Sequence, residues 1–315
     1  MKNKLYIVFL VIIIGALIFA SQQKYDLQSD IPESGEMRGI EEEETSPLIA
    51  PFYPTFKTVS QVVTWEDKLK YLYTIDKTAY VGYNLLDIDD YVKQDLSTDL
   101  TGRNPKILIF HTHSQEDFID SRDKVVDDTV VGLGNLLGTI LVNKYHVPVL
   151  HDVGTYDLVK GKIQRDGSYE RMTESVSRIL GDYPSIEITI DLHRDGVPEN
   201  VHLVKDTNGL PTARMMFFNG VTCLNKNGRP ELMPELPNPY LRDNLALTLQ
   251  LQLASNELYP GLMRQIYIKP YRYSLHLTPK SMLVEVGANT NTVQEAKNAM
   301  EPLAEILMSV LKATD

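Results

Sequence analysis

A single cysteine, Cys223, stands in a chain of 315 residues. An internal disulfide and a thiolate metal clamp are therefore excluded, so stability must come from a packed core and metal ligands from His, Asp or Glu. A basic excess is missing as well. The 31 Lys and Arg against 42 Asp and Glu leave a net charge of −11, which removes the electrostatic footprint of a nucleic-acid binder. Three common catalytic signatures are absent: there is no GxxxxGK[ST], no HExxH and no GxSxG. Gly132, Gly134 and Gly138 miss GxGxxG by one residue and follow no apolar strand-like run, so they read as helix-packing glycines. Disorder throughout is excluded by a content of 43% hydrophobic and 23% charged residues, and the length suits one large or two modest domains.

The amino terminus is what the composition does supply. No charge lies between Lys4 and Lys24, and residues 5–20 are apolar throughout, close to the roughly 20 residues that a spanning helix needs. Residues 1–23 are expected to form a transmembrane anchor. Lys2 and Lys4 before the run and acidic residues after it predict a single-pass protein of the cell membrane, with everything after the anchor extracytoplasmic. A cleaved signal peptide is the alternative. Cleavage after Ala20 would put Ile18 where a small residue is wanted. Residues 24–52 read as an acidic linker, since residues 21–50 hold −6 of the net charge and include the run Glu41 to Glu44. Self-repulsion would keep such a segment extended.

Residues 53–104 read as a helical lead-in, with amphipathic pieces at 62–73 and 85–96. Past Asn104-Pro105, compact apolar runs at 107–110, 147–150, 186–192, 201–204, 215–218 and 282–286 alternate with helical patterns. Such alternation predicts a single α/β domain over 105–315, with a central mixed, mostly parallel sheet flanked by helices. Val130, Leu133, Leu137, Ile140 and Leu141 recur at helical spacing behind Asp127-Asp128, a candidate cap, and Met172, Val176, Ile179 and Leu180 do the same. Leu245, Leu247, Leu249, Leu251 and Leu253 alternate like a strand, yet Leu, Ala and Gln favour a helix and a helix is expected. From Val293 to Val310 the apolar spacing predicts one long helix.

Chemistry is expected where the two most strand-like runs end. ILIF is followed by His111, Thr112, His113, Ser114, Gln115 and Glu116, and ITIDL by His193, Arg194 and Asp195. In open α/β sheets, sites form beyond the carboxyl ends of the strands. Two His and one Glu make a catalytic zinc set that leaves a position for water. His113 and Glu116 have HxxE spacing, His193 would be the third ligand, and His111 is the alternative to His113. Glu285, inside the apolar run MLVEVG, is the candidate base that deprotonates water and hands the proton on; the competing reading is a buried ion pair with Arg194 or Arg272. Arg194 is a candidate for oxyanion stabilisation or for gripping a substrate carboxylate, and Asp191 for orienting a ligand, with surface salt bridging as the competing reading of both. His146, His151, His202 and His276 are read as structural.

At these residues the sequence resembles the stage II sporulation protein P family of peptidoglycan hydrolases, and more distantly the zinc N-acetylmuramoyl-L-alanine amidases. The resemblance rests on KILIFHTHSQEDF (106–118), DGSYERMTESVSRIL (166–180), ITIDLHRDG (188–196), LYPGLMR (258–264) and MLVEVGANTNTVQEA (282–296). It implies an amidase-like fold and an exported, membrane-anchored enzyme that binds peptidoglycan. Such an enzyme cleaves the amide between muramic acid and L-alanine, and also peptide cross-links. It further implies work alongside stage II sporulation proteins D and M in septal wall remodelling. Carried over, Zn2+ falls to His113 (or His111), Glu116 and His193, and the catalytic carboxylate to Glu285. One departure is Tyr273-Ser274-Leu275, where the family usually has Tyr-Asn-Gln. The alternatives are an inactive wall-binding scaffold and a zinc peptidase of another substrate class.

Overall fold

Seven strands organise the chain, and the order in which they pair decides where the site can be. The computed structural model describes residues 51–312; the expected anchor (1–23) and nearly all of the linker (24–52) lie outside the described residues. Among the described residues no helix is long and apolar enough to cross a membrane. In chain order the strands of the main sheet are β1 (Tyr73–Ile75), β2 (Ile107–Phe110), β3 (Val149–His151), β4 (Ile188–Asp195), β5 (Met215–Gly220), β6 (Ile266–Lys269) and β7 (Lys280–Ala288). The helices are α1 (Trp65–Leu72), α2 (Ile88–Tyr91), α3 (Val130–Tyr145), α4 (Ser168–Asp182), α5 (Leu241–Leu258), α6 (Val293–Asn298) and α7 (Met300–Leu311).

The sheet order is β1-β6-β5-β7-β4-β2-β3. Every neighbouring pair is parallel except β5 with β7, so two parallel blocks meet at one antiparallel seam. The expected mixed, mostly parallel sheet is what forms. Both faces are covered, which is why ILIF is apolar at every position. Ile107 and Ile109 face the core shared with Leu133 and Leu137 of α3, the α5 leucines and Leu303 and Leu307 of α7. Leu108 and Phe110 face Met172 and Val176 of α4 on the other side. Beside α4 that second face continues as a smaller cluster, Phe218, Leu275 and Leu283.

Several local expectations need correction. The single helix expected from Val293 to Val310 is two, α6 and α7, with Ala299 between them. Pro302 accounts for the break: it has no N–H to give the carbonyl four residues back and its ring crowds that turn. Asp127-Asp128 does not cap α3. Thr129 does, accepting from the Val131 amide at 3.2 Å, while Asp128 takes a fork of bonds from Arg122 at 2.6 and 2.9 Å. The strand expected at 201–204 lies later, as a hairpin of Val204–Thr207 with Leu210–Ala213. Its turn is Asn208-Gly209, both at positive φ, the pairing that a two-residue hairpin turn prefers. Residues 53–104, read as helical, also supply the edge strand β1.

α5 resolves the alternating leucines. Every residue from Asn244 to Asn256 is buried, so a helix surrounded on all sides has no need of a 3.6-residue stripe. Its polar side chains are used as ties: Asn244 donates to the Leu275 carbonyl at 2.6 Å, Gln250 to the carbonyls of Tyr91 and Gln94 at 2.7 and 2.8 Å, and Asn256 to Pro54 at 2.7 Å.

Candidate metal centre

β2, β4 and β7 are neighbours in one parallel block, so their carboxyl ends converge. In the β7–β4 register Glu285 lies opposite His193, and the β2–β4 register sets Phe110 opposite Asp191. Immediately past Glu285 the register slips. Gly287 takes φ +63°, and a Cβ there would sit 2.7 Å from Asn291 Oδ1, so the bend that ends the pairing beyond Glu285 needs glycine.

The turn after β2 is built by two buried carboxylates from elsewhere. Asp191 accepts from the Thr112 amide (2.9 Å) and hydroxyl (2.7 Å). Asp157 accepts from the Ser114 amide and hydroxyl (3.2 and 2.8 Å) and from the Gln115 amide (3.1 Å). With donors from Thr112, Ser114 and Gln115 held in this way, the turn aims His113 and Glu116 inward.

His113, Glu116 and His193 each offer a ligand atom within 4.8 Å of the others. His113 Nδ1 is 3.3 Å from Glu116 Oε1 and His193 Nδ1 is 3.2 Å from Glu116 Oε2; the two rings stand at 90° with centroids 5.1 Å apart. The far nitrogen of each ring is backed. His113 Nε2 meets Ser168 Oγ at 3.2 Å, and His193 Nε2 lies 2.8 Å from Asp191 Oδ1, close but off the alignment of a hydrogen bond. Imidazole ligands commonly have such a partner behind them, which sets ring orientation and basicity. Glu116 Oε2 also accepts the Arg194 amide at 3.0 Å.

Electrostatics separate the two glutamates. Burial works to raise the Glu116 carboxyl, but His193 first and then His113 outweigh it and hold the group ionised, well below the usual carboxylate range. For Glu285 burial prevails, assisted by Asp195 and Glu116 against His193, and its pKa is pushed up to about 8. Its Oε2 is buried without a hydrogen-bond partner. His193 is pushed well above the ordinary imidazole range because Asp191 and Glu116 overcome its desolvation. An excess of negative charge around two imidazoles and an orphaned carboxylate oxygen are what a divalent cation would relieve, so the donor set fits one.

The structure brings His113, Glu116, His193 and Glu285 to one place and leaves His111 out. The His111 ring is fully buried: Nδ1–H donates to the Leu192 carbonyl at 2.8 Å and Nε2 meets His151 Nε2 at 2.8 Å. Desolvation drives its pKa down to about 3, the behaviour of a neutral core histidine. Arg194 lies beside the centre, near enough to act electrostatically on Glu285. The guanidinium donates to the Asp117 carbonyl at 2.8 Å and lies 3.6 Å from the Asp117 carboxylate, while its main-chain N–H serves Glu116. Of the remaining histidines, His146 closes α3 in the left-handed conformation, His202 pairs with Glu295 at 2.8 Å and His276 meets Thr173 at 3.3 Å.

Five residues at the centre were not assigned to it from the sequence. Asp157 and Ser168 support the turn and His113. Tyr169 sets its ring edge-on to His113, with centroids 5.7 Å apart, and Tyr273 continues that wall at 5.4 Å from Tyr169. Arg165 brings a guanidinium to 3.7 Å from Glu116 Oε1. Three of these, Arg165, Ser168 and Tyr169, lie in or beside the stretch 166–180; the available signal was its polar start, DGSYER, ahead of an amphipathic helix.

Comparison with known proteins follows the same segments. The family model described as stage II sporulation protein P matches residues 22–308. Stage II sporulation protein P of Bacillus subtilis is 22% identical over 239 residues, covering 69% of this chain and 54% of its own length; the chain thus spans about half the length of that curated relative. Among solved structures, the catalytic domain of the CwlV N-acetylmuramoyl-L-alanine amidase from Bacillus (Paenibacillus) polymyxa overlays with a TM-score of 0.37 and 8% identity, over 65% of this chain and 97% of that one. The CwlD amidase from Clostridioides difficile, solved with the GerS lipoprotein, overlays with a TM-score of 0.38 and 12% identity, over 65% and 98%. Overlays this loose leave the functional case to the residues themselves. With the model match running through all three strand ends that carry His113, His193 and Glu285, the chain belongs to the stage II sporulation protein P family.

Proposed function

We propose that this chain is a zinc-dependent peptidoglycan hydrolase that cleaves the amide between N-acetylmuramic acid and L-alanine, acting in septal wall remodelling during sporulation. The observation that carries the reading is the convergence of His113, Glu116 and His193 within 4.8 Å, next to a buried carboxylate, Glu285, with an unsatisfied oxygen. His113, Glu116 and His193 would hold the ion. Zinc, when bound, supplies Lewis acidity toward the scissile carbonyl and makes water acidic enough to ionise near neutral pH.

The chain's own groups do the rest. Glu285 takes a proton from the attacking water at its free Oε2 and delivers it to the leaving nitrogen, a relay suited to a carboxyl whose burial has already raised its affinity for a proton. Asp191 and Ser168 keep the imidazoles in orientation, and Tyr169 and Tyr273 wall the site on the side of α4. The same reading places the chain in the cell membrane through residues 1–23, with the catalytic part outside, and alongside stage II sporulation proteins D and M.

The full-length protein should bind one zinc and release whole stem peptides from purified peptidoglycan, as identified by mass spectrometry of the soluble products. Cleavage of cross-links alone would make it an endopeptidase, and release of nothing would make it a wall-binding protein. Full lytic activity in His193→Ala would refute the mechanism.

A further inference from the structure

Tyr169 stands against the centre with a hydroxyl that the fold itself does not use. Its ring lies edge-on to His113, with centroids 5.7 Å apart and planes at 74°, yet the hydroxyl has no hydrogen-bond partner among the described residues. The phenol head faces the acids of the centre. After burial itself, Asp191, Tyr273, Glu285 and Glu116 push its pKa well above the ordinary tyrosine range, and the O–H stays a donor. The ring is mounted rigidly, in the first turn of α4. Gly167 starts that turn at φ +71°, the Ser168 amide donates to the Arg165 carbonyl at 2.9 Å, and Arg171 donates to the carbonyls of Tyr156, Gln164 and Asp166 at 2.7, 2.7 and 2.9 Å. On its other side Tyr169 meets Tyr273 at 5.4 Å, and Tyr273 meets Phe218 at 4.6 Å. A Cβ at Gly220 would come within 2.9 Å of the Tyr273 ring and closer still to the Tyr271 carbonyl, so the segment that carries Tyr273 packs directly on β5.

Attack on an amide puts negative charge on the carbonyl oxygen, and fixed donors aimed at that charge are usually the largest single contribution to catalysis. The side chains already gathered here are rich in the wrong sign: Glu116, Asp191 and Glu285 surround the two imidazoles, and a carboxylate cannot stabilise such an oxygen. A neutral O–H can. Glu285 lies opposite His193 in register, whereas Tyr169 stands against His113, so the proton-accepting carboxylate and the phenol flank different ligands of the centre. We propose that Tyr169 is a catalytic residue, donating a hydrogen bond from its hydroxyl to the scissile carbonyl oxygen as that oxygen gains negative charge. The O–H bond stays intact throughout, and Glu285 alone carries the proton from water to the leaving nitrogen. The inference rests on the amidase reading above and gives a chemical role to a residue which that reading uses only as a wall.

Tyr169→Phe tests it, since the change keeps the ring against His113 and removes only the hydroxyl. In the full-length protein acting on a soluble muropeptide, kcat should fall about 10²-fold, the cost of losing one such donor, with KM, zinc content and Tm unchanged. Affinity for a phosphinate analogue of the scissile amide, read by calorimetry, should fall by a similar factor, because its tetrahedral oxygens carry the charge that the donor meets. Binding of the uncleaved muropeptide to Glu285→Gln protein should stay the same when Tyr169→Phe is added, as a ground-state carbonyl carries little charge. 3-Fluorotyrosine at position 169, which keeps the ring and a stronger O–H donor, should rescue the turnover lost in Tyr169→Phe. Unchanged kcat in Tyr169→Phe, a fall confined to KM, equal weakening toward the analogue and the uncleaved muropeptide, or no rescue by 3-fluorotyrosine would overturn the proposal while leaving the amidase reading intact. Loss of zinc or a lowered Tm in Tyr169→Phe would mark the hydroxyl as structural and overturn it too. A wild type that cleaves no muropeptide defeats the amidase reading and this proposal with it.

Discussion

Glu285 has a buried carboxylate oxygen with no hydrogen-bond partner, and leaving it so costs about 1–3 kcal/mol unless something is gained by it. Proton transfer is the gain that the geometry offers. Glu285→Gln should therefore lower lytic turnover by about 10²–10⁴-fold while the zinc content of the purified protein stays at one equivalent, which separates loss of a base from loss of the metal. Asp191→Asn acts from behind His193 and should weaken zinc by about 10–100-fold, measured by competition with a chromogenic chelator. At this scale the HxxE spacing was enough to select His113 and Glu116, because residues three apart on one tight turn face the same way. The status of His111 was open in the sequence. Its ring is consumed by Leu192 and His151, residues distant in sequence, and spacing carries no record of such partners. Asp157 and Arg165 were invisible for the same reason.

Elements show where neighbours override local pattern. Gly134 and Gly138 lie on the same side of α3, but a Cβ at Gly134 would come within 2.6 Å of His151 Nε2 and 2.7 Å of His111 Nε2, whereas at Gly138 its nearest contact is an ordinary 3.6 Å. Gly134→Ala should cost about 1–3 kcal/mol through overpacking of the histidine pair. Gly138→Ala should be neutral or stabilise by up to about 1 kcal/mol, since it removes a flexible residue from a helix interior. Urea unfolding of the two variants side by side checks the contrast. The packing role of these glycines was legible in the sequence; which one is indispensable depended on β3 lying against α3. The hairpin turns at Asn208-Gly209 and Asn227-Gly228 had no part in the sequence reading, and the division of the last helix followed from one proline.

For the molecule as a whole, the segment before Asn104 is structural rather than accessory. Leu72, Leu86, Ile88 and Tyr91 are buried in the main core, and β1 pairs with β6. A chain that starts at Pro105 should fail to fold, read as loss of near-ultraviolet circular dichroism and of soluble yield. Asp76, just past β1, ties that edge to the sheet by accepting from Tyr267 at 3.0 Å and pairing with Lys269 at 3.2 Å. Burial works to raise its pKa, but the Thr78 hydroxyl and amide and the Lys269 ammonium reverse this and hold it down at about 2, against an ordinary 3.8. A lowered carboxyl gives stability that is complete above its unfolded value and is lost as pH falls through the folded one. Wild type should accordingly lose more stability than Asp76→Asn as pH drops from 3.8 toward 2, a difference that acid-titrated thermal melts would show.

By itself the sequence determined the α/β class, the strand ends where the candidate site forms and the choice of His113, Glu116, His193 and Glu285 as its candidates, because apolar periodicity and short-range spacing are local properties. Tertiary structure decided the rest. Register between β4 and β7 set Glu285 opposite His193, burial and neighbouring charge gave two glutamates opposite proton affinities, and Arg171 fixed the turn that carries Tyr169. Each of these depends on the free energy of groups far apart in the chain once water has been removed from between them, and that quantity has no local signature to read.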